Sequence, residues 1–525
     1  MSVKVHSAQT IGLDARIIDV EIDLSQGLHS FSLVGLPDKA VEESKERIGA
    51  AIKNSGFVSP QKKNQKVIVS LAPADIKKEG PIFDLAIAIA YLLASKQIRF
   101  DAGKKLFLGE VALDGTLRPI KGALFLALAA KDAGFEEIFL PIDNAREASL
   151  INELKIFGCK NLKEISAHLY PPRKIVPENE SGEIISFEIK PQEHIDFKTL
   201  KKPRQQTICF SDIKGQETAK RGMEIAAAGG HNVLMVGPPG TGKTMLAKAF
   251  AGILPDLSFA ETLEVTGIHS VSGALEGDIA FERPFRAPHH TASYVSLVGG
   301  GNFPKPGEIT LAHRGVLFLD EFPEFERRVI ESLRQPLEDK IINISRARGT
   351  IKFPANFILV SAANPCPCGN AGTPKECICS MGALMHYRRK ISGPIVDRID
   401  LYIDVPRIEL EKFSDDSINL ETSIAIKNRV EKARSIQRKR FSQKNKKNQA
   451  LTNSEMTAKE IKAFAPLSET LKNTLNQAAT KLDLSGRAYH KVIKLARTIA
   501  DLDGAPDIAE NHIFEALQYR PKQGV

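Results

Sequence analysis

The sequence predicts a multidomain α/β protein with a phosphate-binding α/β core and a helical C-terminal region. The 525 residues are enough for about three domains, each large enough to bury its own core. In the middle of the chain, the apolar run Val233–Val236 is followed by a glycine-rich loop and a helical pattern, the strand–loop–helix order of an α/β fold. From residue 454 to residue 519 the pattern is helical throughout.

Composition sets broad limits on the function. Hydrophobic residues make up 42% of the chain and charged residues 26%, as in ordinary globular proteins. There is no apolar run of about 18 residues and no charged-then-apolar leader at Met1, so we expect a cytoplasmic protein that neither spans a membrane nor is secreted. A net charge of +9 fits a polyanionic partner, but it fits a merely basic surface equally well.

Pattern and composition divide the chain into four parts. Residues 1–168 read as an α/β domain, with a buried helix over 83–93. Residues 169–207 are rich in Pro, Glu and Lys and lack periodicity, as in a linker. Residues 208–405 form the nucleotide-binding core, and residues 406–525 form a C-terminal region that ends in a small helical lid.

A P-loop is predicted directly after the strand Val233–Val236. Its glycines allow backbone N–H groups to point inward around a polyphosphate. Lys243 would place a cation on the β- and γ-phosphates, and the Thr244 hydroxyl would bind Mg²⁺. The sequence therefore predicts ATP and Mg²⁺ as cofactors. The loop consists of Gly237, Pro238, Pro239, Gly240, Thr241, Gly242, Lys243 and Thr244.

Two further apolar strands end in polar residues that suit hydrolysis. Val316–Leu319 runs into Asp320 and Glu321, the form of a Walker B strand. Asp320 would hold Mg²⁺ through its water shell, and Glu321 would polarise the attacking water as general base. The run 357–360 leads to Asn364, which suits a polar sensor of the γ-phosphate or the lytic water.

The six cysteines are unevenly distributed. Cys159 and Cys209 are isolated, whereas the other four form two C-x-C pairs just after Asn364. Disulfides are rare in the cytosol, so four neighbouring thiolates suggest a structural Zn²⁺ site. A metal-free loop is the alternative, because C-x-C is less diagnostic than C-x-x-C. The candidate ligands are Cys366, Cys368, Cys377 and Cys379.

Two other features stay open. A basic run over 427–447 suits DNA contact or a solvated helix end and loop. His289 and His290 suit a core, an interface or a pore, and the sequence does not choose among these positions.

Several strings together resemble the AAA+ ATPases related to magnesium chelatase, and the whole chain resembles the ComM/YifB family. This resemblance implies a homo-hexameric ring that converts ATP hydrolysis into movement along single-stranded or branched DNA. It further implies a helicase that drives branch migration during natural transformation and homologous recombination. The strings are residues 210–216, the P-loop, 285–291, 315–322, 364–369 and 392–400.

The resemblance also assigns two arginines. It makes Arg398 the arginine finger that reaches the γ-phosphate held by the neighbouring subunit, although an ion pair with Asp397 or Asp400 is an alternative. It makes Arg487 the sensor 2 residue, which contacts phosphate, in this subgroup that of an adjacent protomer. Arg497 is expected to be a solvent-facing helix residue.

In ring helicases of this kind two inserted elements project into the pore. Here they are the stretch 291–309 with Lys305, and a β-hairpin over 344–351 with Arg346 and Arg348 near its tip. Such cations would track DNA phosphates without reading bases. The alternative is a surface hairpin whose arginines meet only water.

The first domain resembles the Lon-type proteolytic fold, related to ribosomal protein S5 domain 2. Ile82 stands where that fold carries its serine, and the apolar Leu124 and Leu126 lie where its lysine belongs. We therefore expect an inactive protease scaffold. The ATPase subunit of a metal chelatase remains the leading alternative function, and an ATP-dependent protease is disfavoured by these replacements.

Overall fold

The computed structural model describes residues 2–171, 188–195, 197, 208–301, 304–346, 349–390, 393–407, 421–442 and 452–521. The chain forms two compact units. The first consists of Met1–Lys202 together with Phe259–Ala280, and the second of Pro203–Ser258 together with Phe281–Val525. The helix that follows the P-loop helix therefore belongs to the first unit, although both flanking segments belong to the second.

The first unit is built on a seven-stranded mixed sheet in the order β3-β4-β2-β1-β5-β8-β9. β2 pairs antiparallel with β1 and β4, and the other neighbours are parallel. A separate two-stranded ribbon joins β6 and β7. The strands are β1 (Val3–Ile11), β2 (Asp14–Gln26), β3 (Ser30–Val34), β4 (Gln65–Ala72), β5 (Lys105–Phe107), β6 (Glu110–Val111), β7 (Leu117–Arg118), β8 (Glu137–Pro141) and β9 (Lys155–Cys159).

The centre of this unit is an almost wholly apolar helix, α2, which matches the helix predicted over 83–93. Its residues from Asp84 to Leu92 are buried, and Asp84 in its first turn pairs with Arg47 at 3.0 Å. A buried carboxylate needs such a partner to offset its lost hydration. The helices are α1 (Lys39–Asn54), α2 (Asp84–Ala94), α3 (Ala123–Asp132), α4 (Ile142–Ala148), α5 (Leu162–Leu169) and, from the later segment, α8 (Phe259–Ser272).

Helix α8 packs against α3 within the first unit. The Gly122 N–H at the start of α3 donates to the Ser270 hydroxyl at 2.8 Å. A Cβ at Gly267 would lie 2.4 Å from the Phe125 ring, so the two helices approach closely at this glycine. The apolar side chains Val265 and Ile268 are buried on the same helix.

The second unit contains a five-stranded parallel sheet in the order β11-β14-β17-β10-β18. Strands covered on both faces read as unbroken apolar runs, which explains why the runs in β10 and β14 were visible in the sequence. Two antiparallel hairpins stand apart from this sheet. The strands are β10 (Val233–Val236), β11 (Phe285–Arg286), β12 (Gly299–Gly300), β13 (Lys305–Pro306), β14 (Val316–Leu319), β15 (Ile341–Arg346), β16 (Gly349–Pro354), β17 (Ile358–Ala363) and β18 (Leu401–Asp404).

The remaining helices surround this sheet and form the C-terminal region. Three of the last four begin at side-chain caps, as in the helix Gly486–Leu502, where Ser485 accepts from the Ala488 N–H. The predicted α/β class, with its helical C-terminal region, is confirmed. The helices are α6 (Glu217–Gly229), α7 (Lys243–Ile253), α9 (Tyr294–Val298), α10 (Glu308–Leu311), α11 (Arg327–Ser332), α12 (Arg334–Asp339), α13 (Met381–Lys390), α14 (Gly393–Val396), α15 (Ser423–Ser442), α16 (Ala458–Phe464), α17 (Glu469–Lys481), α18 (Gly486–Leu502) and α19 (Glu510–Gln518).

The prediction that Arg497 faces solvent is wrong. Its side chain is 2% exposed and donates to Asp501 at 3.1 Å and to the Pro506 carbonyl at 2.8 Å. Arg440, from the basic run, also pairs with Asp501. A buried carboxylate one helical turn away therefore draws Arg497 inward, because an unpaired carboxylate there would be costly. Within the described ranges, no helix combines the length and apolarity needed to cross a membrane.

Candidate active site

The P-loop lies between the carboxyl end of β10 and the first turn of α7. Gly240 and Gly242 have φ values of 78° and 89°, in the left-handed region that favours glycine. A Cβ at Gly237 would lie 2.1 Å from the Val405 carbonyl oxygen, so this position leaves no room for a side chain. The loop conformation thus depends on the glycines that the sequence places there.

Lys243 points into this loop. Its Nζ donates to the carbonyl oxygens of Gly237 and Pro238 at 2.6 and 2.8 Å, and to Asn364 Oδ1 at 3.3 Å. Burial lowers the pKa of the Lys243 ammonium, while Asp320 and the neighbouring Glu321 oppose this effect. A cation held in a glycine-rich loop at the start of a helix is placed to bind an anion such as a polyphosphate.

The Walker B strand brings its first carboxylate to the P-loop helix. The Thr244 hydroxyl donates to Asp320 Oδ2 at 2.8 Å, and the Glu321 N–H donates to Asp320 Oδ1 at 3.0 Å. A hydroxyl and a carboxylate are hard oxygen donors of the kind that Mg²⁺ takes in nucleotide sites. Thr244 and Asp320 therefore fit the predicted magnesium ion.

Glu321 is half exposed and contacts a residue that the sequence left unassigned. His290 Nδ1 lies 3.1 Å from Glu321 Oε2. His290 follows β11, and β11 pairs in parallel with β14, which precedes Glu321. Because parallel strands end at one edge of a sheet, pairing these two strands would have placed His290 beside the Walker B carboxylates.

Asn364 directly follows β17, which lies between β14 and β10 in the sheet. Its side-chain oxygen faces the Lys243 ammonium, as a sensor between the two nucleotide-binding strands requires. Five predicted residues thus meet at one edge of the sheet. They are Lys243, Thr244, Asp320, Glu321 and Asn364.

The two candidate arginines share a partner. Arg398 forms an ion pair with Glu338, and Arg487 Nη2 lies 3.8 Å from the other oxygen of the same carboxylate. Sequence reasoning missed Glu338, which is distant in the chain from both arginines. The alternative ion pair of Arg398 with Asp397 or Asp400 is not among its described contacts.

The four clustered thiols converge on one point. Their sulfur atoms all lie within 4.8 Å of one another, and the Cys366–Cys368, Cys368–Cys377 and Cys377–Cys366 Sγ distances are 3.4, 3.6 and 3.7 Å. Tetrahedral zinc with Zn–S bonds of about 2.3 Å requires sulfur separations of about 3.8 Å. The four residues, with Cys379 as the last, therefore fit a Zn²⁺ ion.

This cysteine loop borders the P-loop. A Cβ at Gly369, whose φ is 78°, would lie 2.7 Å from Pro239 Cδ. A backbone hydrogen bond involving Asn370 lowers the pKa of the Cys368 thiol to about 6. The loop begins two residues after Asn364, so any change in its shape bears on both the P-loop and the sensor.

The predicted DNA contacts are described only in part. Lys305 is exposed at the start of β13, and β15 pairs with β16 as the expected hairpin. For Arg346 the backbone at the end of β15 is described, and Arg348 lies outside the described residues. In the basic run, Arg434 donates to the Ala227 carbonyl at 2.9 Å, which supports a structural role for that residue.

In the first unit, the positions expected for a proteolytic pair are apolar. Ile82 lies in a short 3₁₀ turn before α2, and Leu124 is buried in α3 with its N–H donating to Glu147 at 3.0 Å. Neither side chain can act as a nucleophile or a base.

Comparison with known families covers most of the chain. The family model described as magnesium chelatase, subunit ChlI, matches residues 209–413. Models described as subunit ChlI of Mg-chelatase and the ChlI C-terminal region match residues 20–144 and 420–520. The first of these three matches contains every P-loop and Walker B residue assigned above.

Individual relatives extend the comparison to the whole length. Competence protein ComM of Haemophilus influenzae is 41% identical over 98% of this chain and 97% of its own. Uncharacterized protein YifB of Escherichia coli is 41% identical over 98% of this chain and 96% of its own. The magnesium-chelatase 38 kDa subunit of Cereibacter sphaeroides is 27% identical over 32% of this chain and 54% of its own. Similarity this high over nearly the full length of both chains shows that the protein belongs to the ComM/YifB family, AAA+ ATPases related to magnesium chelatase.

Proposed function

We propose that this protein is a cytoplasmic ATPase that assembles into a homo-hexameric ring and moves along single-stranded or branched DNA. The observation that carries this proposal is the convergence of Lys243, Thr244, Asp320, Glu321 and Asn364 at one edge of the parallel sheet. This arrangement can bind a nucleoside triphosphate and activate water next to its γ-phosphate.

In this mechanism Lys243 and the P-loop amides hold the β- and γ-phosphates. Thr244 and Asp320 would hold Mg²⁺, which neutralises charge on the phosphate oxygens when it is bound. Glu321 accepts a proton from the attacking water, and His290, in the segment after β11, orients the Glu321 carboxylate. Asn364 contacts the γ-phosphate or the same water.

Ring assembly supplies the remaining charges. Arg398 would reach the γ-phosphate bound by the neighbouring protomer, and Arg487 would contact an adjacent phosphate. A guanidinium supplied in trans stabilises the charge on the transferring phosphoryl group. Hydrolysis therefore depends on assembly, and each interface between protomers forms one catalytic site.

DNA is the proposed polyanion. A net charge of +9 and the exposed Lys305 support contact with phosphates, with Arg346 and Arg348 at the β15–β16 hairpin as further contacts. The Haemophilus influenzae relative is named a competence protein, which supports a role in natural transformation. We propose that this role is helicase or branch-migration activity during homologous recombination.

The four-cysteine loop is proposed to bind one structural Zn²⁺. Four thiolates would complete the coordination of the ion and leave no open position for chemistry. The proposed role is to fix a loop that lies against Pro239 of the P-loop.

A metal-chelatase ATPase subunit is the second candidate. The match to the 38 kDa magnesium-chelatase subunit favours it, but that match covers only 32% of this chain. The relatives that match almost the whole chain carry other names. For the first unit we propose an inactive scaffold used in assembly or DNA contact, because Ile82 stands at the serine position and the apolar Leu124 and Leu126 stand where the lysine belongs.

The test is the ATPase rate with and without single-stranded or forked DNA. We expect DNA to stimulate turnover, and we expect Arg346→Ala combined with Arg348→Ala to abolish the stimulation without changing the DNA-free rate. Arg438→Ala combined with Lys439→Ala, in the exposed part of α15, is the matched control. Unchanged turnover with DNA would contradict the motor and favour the chelatase-like function. Loss of stimulation in the control pair alone would move the DNA contact to the basic run.

A further inference from the structure

Glu338 links the two arginines to the hairpin. It is the penultimate residue of α12, and only Asp339 and Lys340 separate it from β15. Its carboxylate forms the ion pair with Arg398 and lies 3.8 Å from Arg487. The Glu338 side chain thus contacts both Arg398 and Arg487, the two arginines that are proposed to bind phosphate in the neighbouring protomer.

The backbone around Arg398 is held firmly. The Arg398 carbonyl accepts from Asn232 Nδ2 at 3.1 Å, and Asp400 accepts from the Asn232 N–H at 3.0 Å and pairs with Lys491 at 3.0 Å. Burial opposes ionisation of Asp400, but Lys491 and His231 overcome it and hold the pKa of this carboxyl well below its usual range. The main chain of Arg398 therefore has a fixed position, so the conformation of its side chain determines which anion the guanidinium contacts.

The partner of that side chain is less constrained. The Glu338 side chain is 54% exposed and the Arg487 side chain 62%, against 15% for Arg398. Ion pairs with an exposed carboxylate contribute little to stability. A polyphosphate carries more charge than one carboxylate and binds guanidinium in the same bidentate manner, so it can displace Glu338.

The hairpin is coupled to this carboxylate through a short, well-defined turn. Lys340 adopts a left-handed conformation with φ 59°, and its N–H donates to the Pro336 carbonyl at 3.1 Å. Its own carbonyl accepts from the Ala355 N–H at 2.8 Å, at the base where Ile341 pairs with Pro354. Main-chain hydrogen bonds thus join the end of α12 to the base of the hairpin.

We propose that Glu338 is a positioning residue that restrains Arg398 and Arg487 within their own subunit and releases them when DNA displaces the β15–β16 hairpin. This inference rests on the proposed function and adds the step that connects DNA binding to hydrolysis. While the carboxylate is in place, it occupies donors that the neighbour's phosphate needs. Once α12 shifts, both arginines become available for that phosphate.

The test compares Glu338→Gln with Asp339→Asn in the full chain. Both changes remove one negative charge from an exposed position on α12, and of these two carboxylates Glu338 is the one described in contact with the arginines. We expect Glu338→Gln to raise the DNA-free ATPase rate about three- to fivefold, the range that an exposed ion pair can supply, and to reduce stimulation by forked DNA in proportion. Asp339→Asn should behave as the wild type.

A double variant tests whether the raised DNA-free ATPase rate depends on Arg398. Glu338→Gln should raise the DNA-free rate of the wild type but not that of a protein already carrying Arg398→Ala, whereas a general loosening of α12 would raise both rates by the same factor. A wild-type DNA-free rate in Glu338→Gln overturns the inference. If DNA fails to stimulate the wild-type protein, the motor proposal fails. The DNA-free rates of the single and double variants then determine, by themselves, whether Glu338 restrains the two arginines.

Discussion

Glu321 occupies a strained backbone position. Its φ of 50° is in the left-handed region, which costs a residue with a side chain about 1–2 kcal/mol. Such strain persists where the surrounding structure fixes the backbone. Here Glu321 lies just after β14 and its carboxylate contacts His290 at 3.1 Å, and both features hold the residue in place. The Asp320 carboxylate contacts Thr244 and the Glu321 carboxylate contacts His290, so two adjacent acids can have separate roles.

Glu321→Gln should remove turnover and keep nucleotide binding. The amide fills the same volume but cannot accept a proton from water, so we expect kcat to fall about 10²- to 10⁴-fold. ATP binding by equilibrium titration and assembly by light scattering should match the wild type. Glu324→Gln is the control, because Glu324 is nearby but pairs with Lys390 at 3.0 Å. Wild-type turnover in Glu321→Gln would displace this residue as the base.

The residue scale also shows where sequence reasoning ends. Lys243 and Asp320 could be assigned from local sequence patterns. Lys243 belongs to a glycine-rich loop that follows an apolar run, and Asp320 directly follows another apolar run. His290 and Glu338 could not be assigned in this way, since their partners are distant in the chain and only folding brings them together. Arg497 was assigned wrongly, because its burial depends on Asp501 and on backbone carbonyls in the turn after α18.

Among the elements, strands were the easiest to predict. The apolar runs of β10 and β14 coincide with the observed strands, because a parallel sheet covered on both faces needs an uninterrupted apolar sequence. The two-residue strands β11 and β12 leave no such pattern. The hairpin of β15 and β16 is predicted over 344–351, and its strands extend to Ile341 and Pro354.

The cysteine loop yields a prediction about metal content. We expect one zinc per chain in the purified full-length protein, and Cys377→Ser should lose it, because three thiolates hold zinc far less tightly than four. The same variant should bind ATP more weakly, since Gly369 borders Pro239. Elemental analysis and nucleotide titration measure the two effects.

The control for this experiment is Cys209→Ser, which changes a cysteine outside the cluster. It should keep its zinc and its ATP affinity. Equal zinc content in Cys377→Ser and the wild type, or none in either, would contradict the four-thiolate site.

At the scale of the whole molecule, the compact units are not continuous in the chain. The nucleotide-binding domain over 208–405 stays a prediction, and within that stretch Phe259–Ala280 packs as part of the first compact unit. Sequence patterns report which residues are apolar and at what spacing, but they do not report which surface a helix covers. The two apolar residues Val265 and Ile268 indicate a buried face of α8 without naming its partner.

Gly267→Ala should therefore destabilise the first unit, even though the residue lies between the P-loop and Walker B segments. The added methyl group would meet the Phe125 ring at 2.4 Å, and we expect a loss of about 1–3 kcal/mol from overpacking. Hydrogen exchange should show faster exchange of α3 amides. Gly382→Ala, where a Cβ meets no atom within 4 Å, should leave exchange unchanged. Faster exchange confined to the second unit would refute the assignment of α8.

This excursion of the chain also sets an order for synthesis. Domains usually fold as they leave the ribosome, starting from the N-terminus. Here the face of α3 that contacts α8 stays uncovered until α8 has been translated, which happens after the P-loop has been translated. The first unit therefore stays incompletely folded while part of the ATPase core is being synthesised. A ribosome pause or a bound chaperone during this interval would affect the folding of both units.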